Sequence, residues 1–129
     1  KVIFATSTSV LSEKMDKNAM RYNKEIEEYN RAAVEVVNKH GFEINDLYAL
    51  SASLPEEAHS DAVHYYTAMG TKAFADQVLS YVVPALGITE KTFYAKMKKG
   101  VFDSDEIQQM IDVLTIENPV EVFFAKFGA

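Results

Sequence analysis

The sequence predicts an α/β fold with parallel strands over residues 1–86 and an all-helical segment over residues 87–129. Three observations carry this. Val2-Ile3-Phe4-Ala5-Thr6 is a short β-favouring run. A stretch with helical periodicity follows, and a second β-favouring run, Phe42 to Tyr48, comes directly after Gly41. Strand, long helix, strand is a βαβ unit, whose strands are expected to be parallel with a right-handed crossover.

The first run reads as a strand ending near Thr8, and its apolar character on both faces suits a buried parallel sheet. Ser7 and Ser9 follow it without a Gly-x-Ser-x-Gly elbow or a Gly-Asp-Ser turn, so a structural or loop role is expected of them. Residues 11–19 are polar and irregular. From about Met20 to Lys39 the apolar positions Tyr22, Ile26, Tyr29, Ala33 and Val36/Val37 recur at spacings of three and four, which gives an amphipathic helix. Gly41 is suited to stop it. After the second strand, residues 50–64 read as a loop containing Pro55. A helix is expected from about Thr67, with Met69, Ala73, Phe74, Val78, Tyr81 and Val82 as its buried stripe and Pro84 at its end.

Beyond Pro84 the texture changes. Gly87 marks a turn and Thr89 an N-cap, with Phe93 and Met97 as the apolar positions that follow. Asp103 and Glu106 form a capping box ahead of a helix that buries Ile107, Met110, Ile111 and Leu114. Asn118-Pro119 opens a last turn anchored by Val122, Phe123 and Phe124.

Of the 129 residues 48% are apolar, enough for a core and too many for a disordered chain. Cysteine is absent, which excludes disulfides and thiolate metal sites and leaves cytoplasmic and secreted bacterial settings both open. No apolar run approaches the roughly 20 residues of a membrane span. The chain starts at Lys1 with no signal-peptide pattern, and reads as one cut inside a domain. A net charge of −6 disfavours nucleic acid as a partner of the whole surface. The exception is a basic cluster, Lys91, Lys96, Lys98 and Lys99, which can bind phosphate or serve as a solvated helix face. No cofactor or metal is expected: His40, His59 and His64 lack a zinc-enzyme spacing, and no phosphate-binding glycine loop is present.

The candidate site is His59-Ser60-Asp61-Ala62-Val63-His64. A carboxylate three residues before a histidine can orient the ring and stabilise its protonated form, leaving the other nitrogen to act as a base. The segment leaves the second strand, where open parallel sheets place their sites. A helix-entry turn held by Asp61 is the alternative reading. His59 has no comparable partner and reads as a surface residue.

Several of these stretches together resemble the SGNH (GDSL-type) hydrolases. Val2 to Val10 is similar to a late strand of that family, without the proline of its usual Thr-Thr-Pro-Val ending. Tyr29-Asn30 and Ile44 to Tyr48 are similar to the stretch leading to its last catalytic block. His59 to His64, with Gly70 and the run to Val78, is similar to that block and the terminal helix. The resemblance covers residues 1–86 and implies a partial three-layer, flavodoxin-like α/β fold and a serine esterase. His64 is then the general base, Asp61 its orienting acid, and a small ester or acylated sugar the substrate. The family's Gly-Asp-Ser nucleophile block and the glycine and asparagine blocks of its oxyanion hole have no counterpart here. What is implied is the C-terminal half of an esterase, inactive by itself.

Residues 87–124 resemble the second half of a phage-repressor-like (Cro/repressor type) helix-turn-helix domain. The carriers are Leu86-Gly87-Ile88, Thr92-Phe93-Tyr94 and the Phe123-Phe124 pair. This resemblance implies a recognition helix from Thr89 to about Lys98, with Lys91, Tyr94 and Lys98 facing DNA. The first helix of such a domain has no separate counterpart. A helical cap is the alternative. No membrane partner is expected, and open sheet edges make a homo-oligomer plausible.

Overall fold

The computed structural model describes residues 2–18, 20–114 and 116–119. It is mostly helical, with a small parallel sheet. Compact packing divides it into two units, Lys1–Val78 and Leu79–Ala129, with the break inside a helix.

The first unit begins with β1 (Ile3–Ala5). It pairs in parallel with β2 (Glu43–Asn45) in the register Ile3 to Glu43, Phe4 to Ile44 and Ala5 to Asn45. Thr6 N–H extends the ladder to the Asn45 carbonyl at 3.1 Å. The strand is half-buried at Ile3 and Phe4 and exposed at Ala5, so it is not covered on both faces as its apolar run suggested. Between the strands runs α1 (Asn23–Lys39), packed on β2. It ends in a Schellman arrangement. Gly41 takes φ +68°, its N–H reaches the Asn38 carbonyl, and Phe42 N–H reaches back to Val37.

The inner face of α1 differs from the periodic reading. Tyr22, Tyr29 and Val36 are exposed, Tyr29 by 76%. Asn30 is buried, with Ile26, Ala33, Val34 and Val37 half-buried beside it. Two asparagines seven residues apart explain the rotation. Asn30 Nδ2 donates to the Ser7 carbonyl while its Oδ1 accepts from Ser7 N–H, both at 2.9 Å. Asn23 does the same at Val10, again at 2.9 Å. Together they hold the extended segment that leaves β1 and satisfy backbone groups that no strand pairs.

The second strand is shorter than expected. Asp46 stops it and becomes the N-cap of α2 (Leu47–Ser53), accepting Ala49 N–H at 3.1 Å. Thr6 Oγ1 donates to the same carboxylate and accepts Tyr48 N–H. Residues 50–64 are therefore not all loop: α2 occupies the start, and a 3₁₀ turn, Glu56–Ala58, follows Pro55. The buried set here is more polar than apolar. Thr6, Ser9, Asn30, Asn45 and Ser51 join Val10, Ala58 and Tyr65. Ser9 N–H donates to Ser51 Oγ, and Ser9 Oγ and Tyr65 Oη share a 2.8 Å hydrogen bond.

α3 (Ala68–Ala85) crosses the division between the units. Met69 and Val78 are exposed rather than buried, and Gly70 and Val83 are buried in their place. Glycine is required at position 70. A Cβ there would stand 2.5 Å from the carbonyl oxygens of Ala58 and Tyr65.

In the second unit the end of α3 is followed by α4 (Glu90–Lys99) and α5 (Ser104–Leu114). Thr89 caps α4 by accepting Thr92 N–H, and Gly100 closes it at φ +65°. The Asp103–Glu106 capping box forms in both directions, at 2.9 and 3.0 Å. Val83, Leu86 and Met110 are buried, and Ile107 and Ile111 half-buried. Val122, Phe123, Phe124 and the Leu114 side chain lie outside the described residues.

Candidate functional site

Asp61 and His64 meet. Asp61 Oδ2 lies 2.7 Å from His64 Nδ1. Its other oxygen, Oδ1, accepts the backbone N–H groups of Val63 and His64, each at 2.8 Å. The turn is closed by Ser60 N–H donating to the His64 carbonyl at 2.8 Å. One oxygen of the carboxylate thus bonds backbone N–H groups and the other meets the ring, in a turn that precedes α3, which begins at Ala68. The two backbone N–H bonds and the ring hold that carboxyl down at about 2, with Val63 N–H the leading cause. Both side chains are about half exposed, at 48% for His64 and 53% for Asp61, so solvent reaches the pair.

The turn is anchored to the strand layer. Leu11 N–H donates to the Ala62 carbonyl, and Tyr65 Oη donates to the Ser9 carbonyl at 3.0 Å. Both partners belong to the segment that leaves the carboxyl end of β1. On the other side, Thr67 Oγ1 donates to the Ala58 carbonyl and accepts Gly70 N–H, tying the turn to the first turn of α3.

Tyr66 was not singled out by the sequence reading. Its ring stacks on His64 at 4.9 Å with 16° between planes. The pair borders a groove of about 370 Å³ whose walls include Thr8, Val63, Tyr66, Thr71 and Phe74. The signal for it was the aromatic pair Tyr65-Tyr66 directly after the histidine.

His59 is not a plain surface residue. Its ring packs 3.9 Å from that of Tyr65, and its Nδ1 is shielded with no hydrogen-bond partner among the described residues. Ser9 is buried in the Tyr65 and Ser51 network, and Asn23 and Asn30 hold backbone. These polar groups are committed to the fold.

In the second unit Lys91, Tyr94 and Lys98 are exposed on α4 at spacings of three and four. Lys96, counted in the basic cluster, is engaged elsewhere. It lies 2.5 Å from the Glu106 carboxylate and 3.7 Å from Asp103. The Glu106 hydrogen bond raises its pKa, and that of Asp103 is lowered chiefly by Glu106 N–H. Among the described residues no group of three or more His, Asp or Glu side chains is placed to hold a metal ion, and no helix is long and apolar enough to cross a membrane.

No family model matches the chain, no curated protein is similar to it, and no solved structure resembles it.

Proposed function

We propose that residues 1–86 are the base-bearing half of a serine ester hydrolase of SGNH type, with His64 as general base and Asp61 as the group that orients it. The observation that carries this is the 2.7 Å contact between Asp61 Oδ2 and His64 Nδ1 in a half-exposed turn. A serine hydroxyl becomes a nucleophile only when a base takes its proton, and the imidazolium so formed needs a fixed carboxylate beside it. The Asp61 carboxylate is ionised throughout the neutral range and is fixed by two backbone N–H groups as well as by the ring. The parallel β1–β2 pair with α1 between its strands is compatible with one edge of the three-layer, flavodoxin-like sheet that this reading implies. The nucleophile and oxyanion donors belong to a second half, and a small ester or acylated sugar is the substrate of the completed site.

Diethyl pyrocarbonate, which attacks an unprotonated imidazole nitrogen, tests the claim. His64 is expected to react faster than the exposed His40 at mildly alkaline pH, and Asp61→Asn is expected to remove the difference. Equal rates in the unsubstituted protein would refute an activated ring.

A second reading concerns the other unit. The exposed Lys91, Tyr94 and Lys98 on a capped ten-residue helix favour DNA binding through residues 87–99. Salt-dependent retention of duplex DNA, lost in Lys91→Ala/Lys98→Ala, would support it. Retention unchanged in that variant would count against it.

A further inference from the structure

We infer that the groove beside His64 binds the neutral, apolar group carried on the alcohol oxygen of the ester, so that the substrate is an aryl or alkyl ester and not a sugar ester on that side. This rests on the reading of His64 as a base.

The chemistry fixes which half of the substrate meets the ring. The hydroxyl of the nucleophile, a serine of the completing half, gives its proton to Nε2 as its oxygen bonds to the acyl carbon. When the bond from that carbon to the alcohol oxygen breaks, the imidazolium hands the same proton to the departing oxygen. The departing oxygen must therefore come within hydrogen-bond reach of His64. Whatever is attached to it starts at the ring and extends into the space the ring borders.

That space is the groove. At about 370 Å³ it holds a small molecule, near the lower end of the roughly 300–1,000 Å³ usual for ligand sites. Its walls include Val63, Phe74 and the rings of Tyr65 and Tyr66; hydroxyls come from Thr8, Thr71 and the two tyrosines, of which Tyr65 Oη is already bonded to Ser9. None of its described lining residues is Lys, Arg, Asp or Glu, and His64 at its edge is already paired with Asp61. A sugar carries several hydroxyls and would lose their hydration against these walls with too few replacement partners for all of them. A phenyl or short alkyl group loses none. Tyr66, stacked on His64 and 77% exposed, would be covered by such a group.

The test is a nuclear magnetic resonance titration of the full chain with benzyl alcohol and, separately, with methyl glucoside. Benzyl alcohol is expected to give saturable shifts of the His64, Tyr66 and Phe74 ring protons. Methyl glucoside is expected to give none. Thr71→Arg, at an exposed position, fills the groove without touching the turn and is expected to weaken benzyl alcohol by on the order of tenfold or more. Absence of saturation, equal response to the glucoside, or indifference to Thr71→Arg would each overturn the inference. Benzyl alcohol binding alongside an unactivated His64 would leave the groove assignment standing and remove the catalytic one. An activated His64 with no binding would remove the groove assignment alone.

Discussion

Asp61 divides its two oxygens between the backbone of its turn and the ring of His64. Oδ1 closes the turn on Val63 and His64, and Oδ2 faces the ring. Because this carboxyl is lowered from 3.8 to about 2 in the folded chain, its contribution to stability is present above the ordinary value and lost as pH falls from 3.8 toward 2. The amide resonances of Val63 and His64 are expected to hold their positions down to about pH 4 and to move below it. In Asp61→Asn that acid-dependent movement should disappear. Gly70 makes a different demand, because the carbonyls of Ala58 and Tyr65 occupy the place of a side chain. Gly70→Ala forces backbone apart and is expected to lower stability by about 1–3 kcal/mol, read by urea denaturation. The need for glycine at 70 is invisible in the sequence, since the clashing carbonyls of Ala58 and Tyr65 come from a segment that only the fold brings against α3.

At the scale of elements, the sequence located β1, α1, β2, α3 and the capped α4 and α5, because period, caps and glycine stops agree there. Two features misled it. The β-favouring run of residues 42–48 suggested a longer strand, but Asp46 accepts Ala49 N–H and starts α2 instead. The tyrosines of α1 suggested its inner face, but Asn23 and Asn30 face inward, because the segment after β1 needs partners for its backbone. Asparagine inside a helix face is legible only once a chain without strand partners is known to lie against it. Asn30→Ala is expected to cost about 1–3 kcal/mol by unpairing those groups, measured by thermal or urea unfolding. Tyr48 ties α2 to α1 through its 2.7 Å bond to Glu27. Burial first, then Glu27, pushes its hydroxyl up to about 12. The stability it contributes is therefore complete below pH 10 and lost as pH climbs toward 12. Tyr48→Phe should lack that alkaline loss.

For the whole molecule, the acid–histidine pair was legible because three residues of separation and a following helix leave few ways to fold the turn. The groove was not, because its walls come from the segment after β1, the turn and α3, which only the fold brings together. On the proposed reading the chain carries a base and its orienting acid but no Gly-Asp-Ser block, so ester hydrolysis above the buffer rate is not expected from it. Fluorophosphonate labelling of a serine, or turnover abolished by His64→Ala, would show that the polypeptide contains its own nucleophile. The most direct measurement is the ¹⁵N spectrum of the His64 ring in its neutral form. With Oδ2 accepting, the proton sits on Nδ1 and Nε2 is left as the acceptor. In Asp61→Asn the backbone N–H groups keep the amide oxygen, the NH₂ turns to the ring, and the proton moves to Nε2. That switch is the expected result. The same tautomer in both proteins, or a proton on Nε2 in the unsubstituted chain, would contradict it.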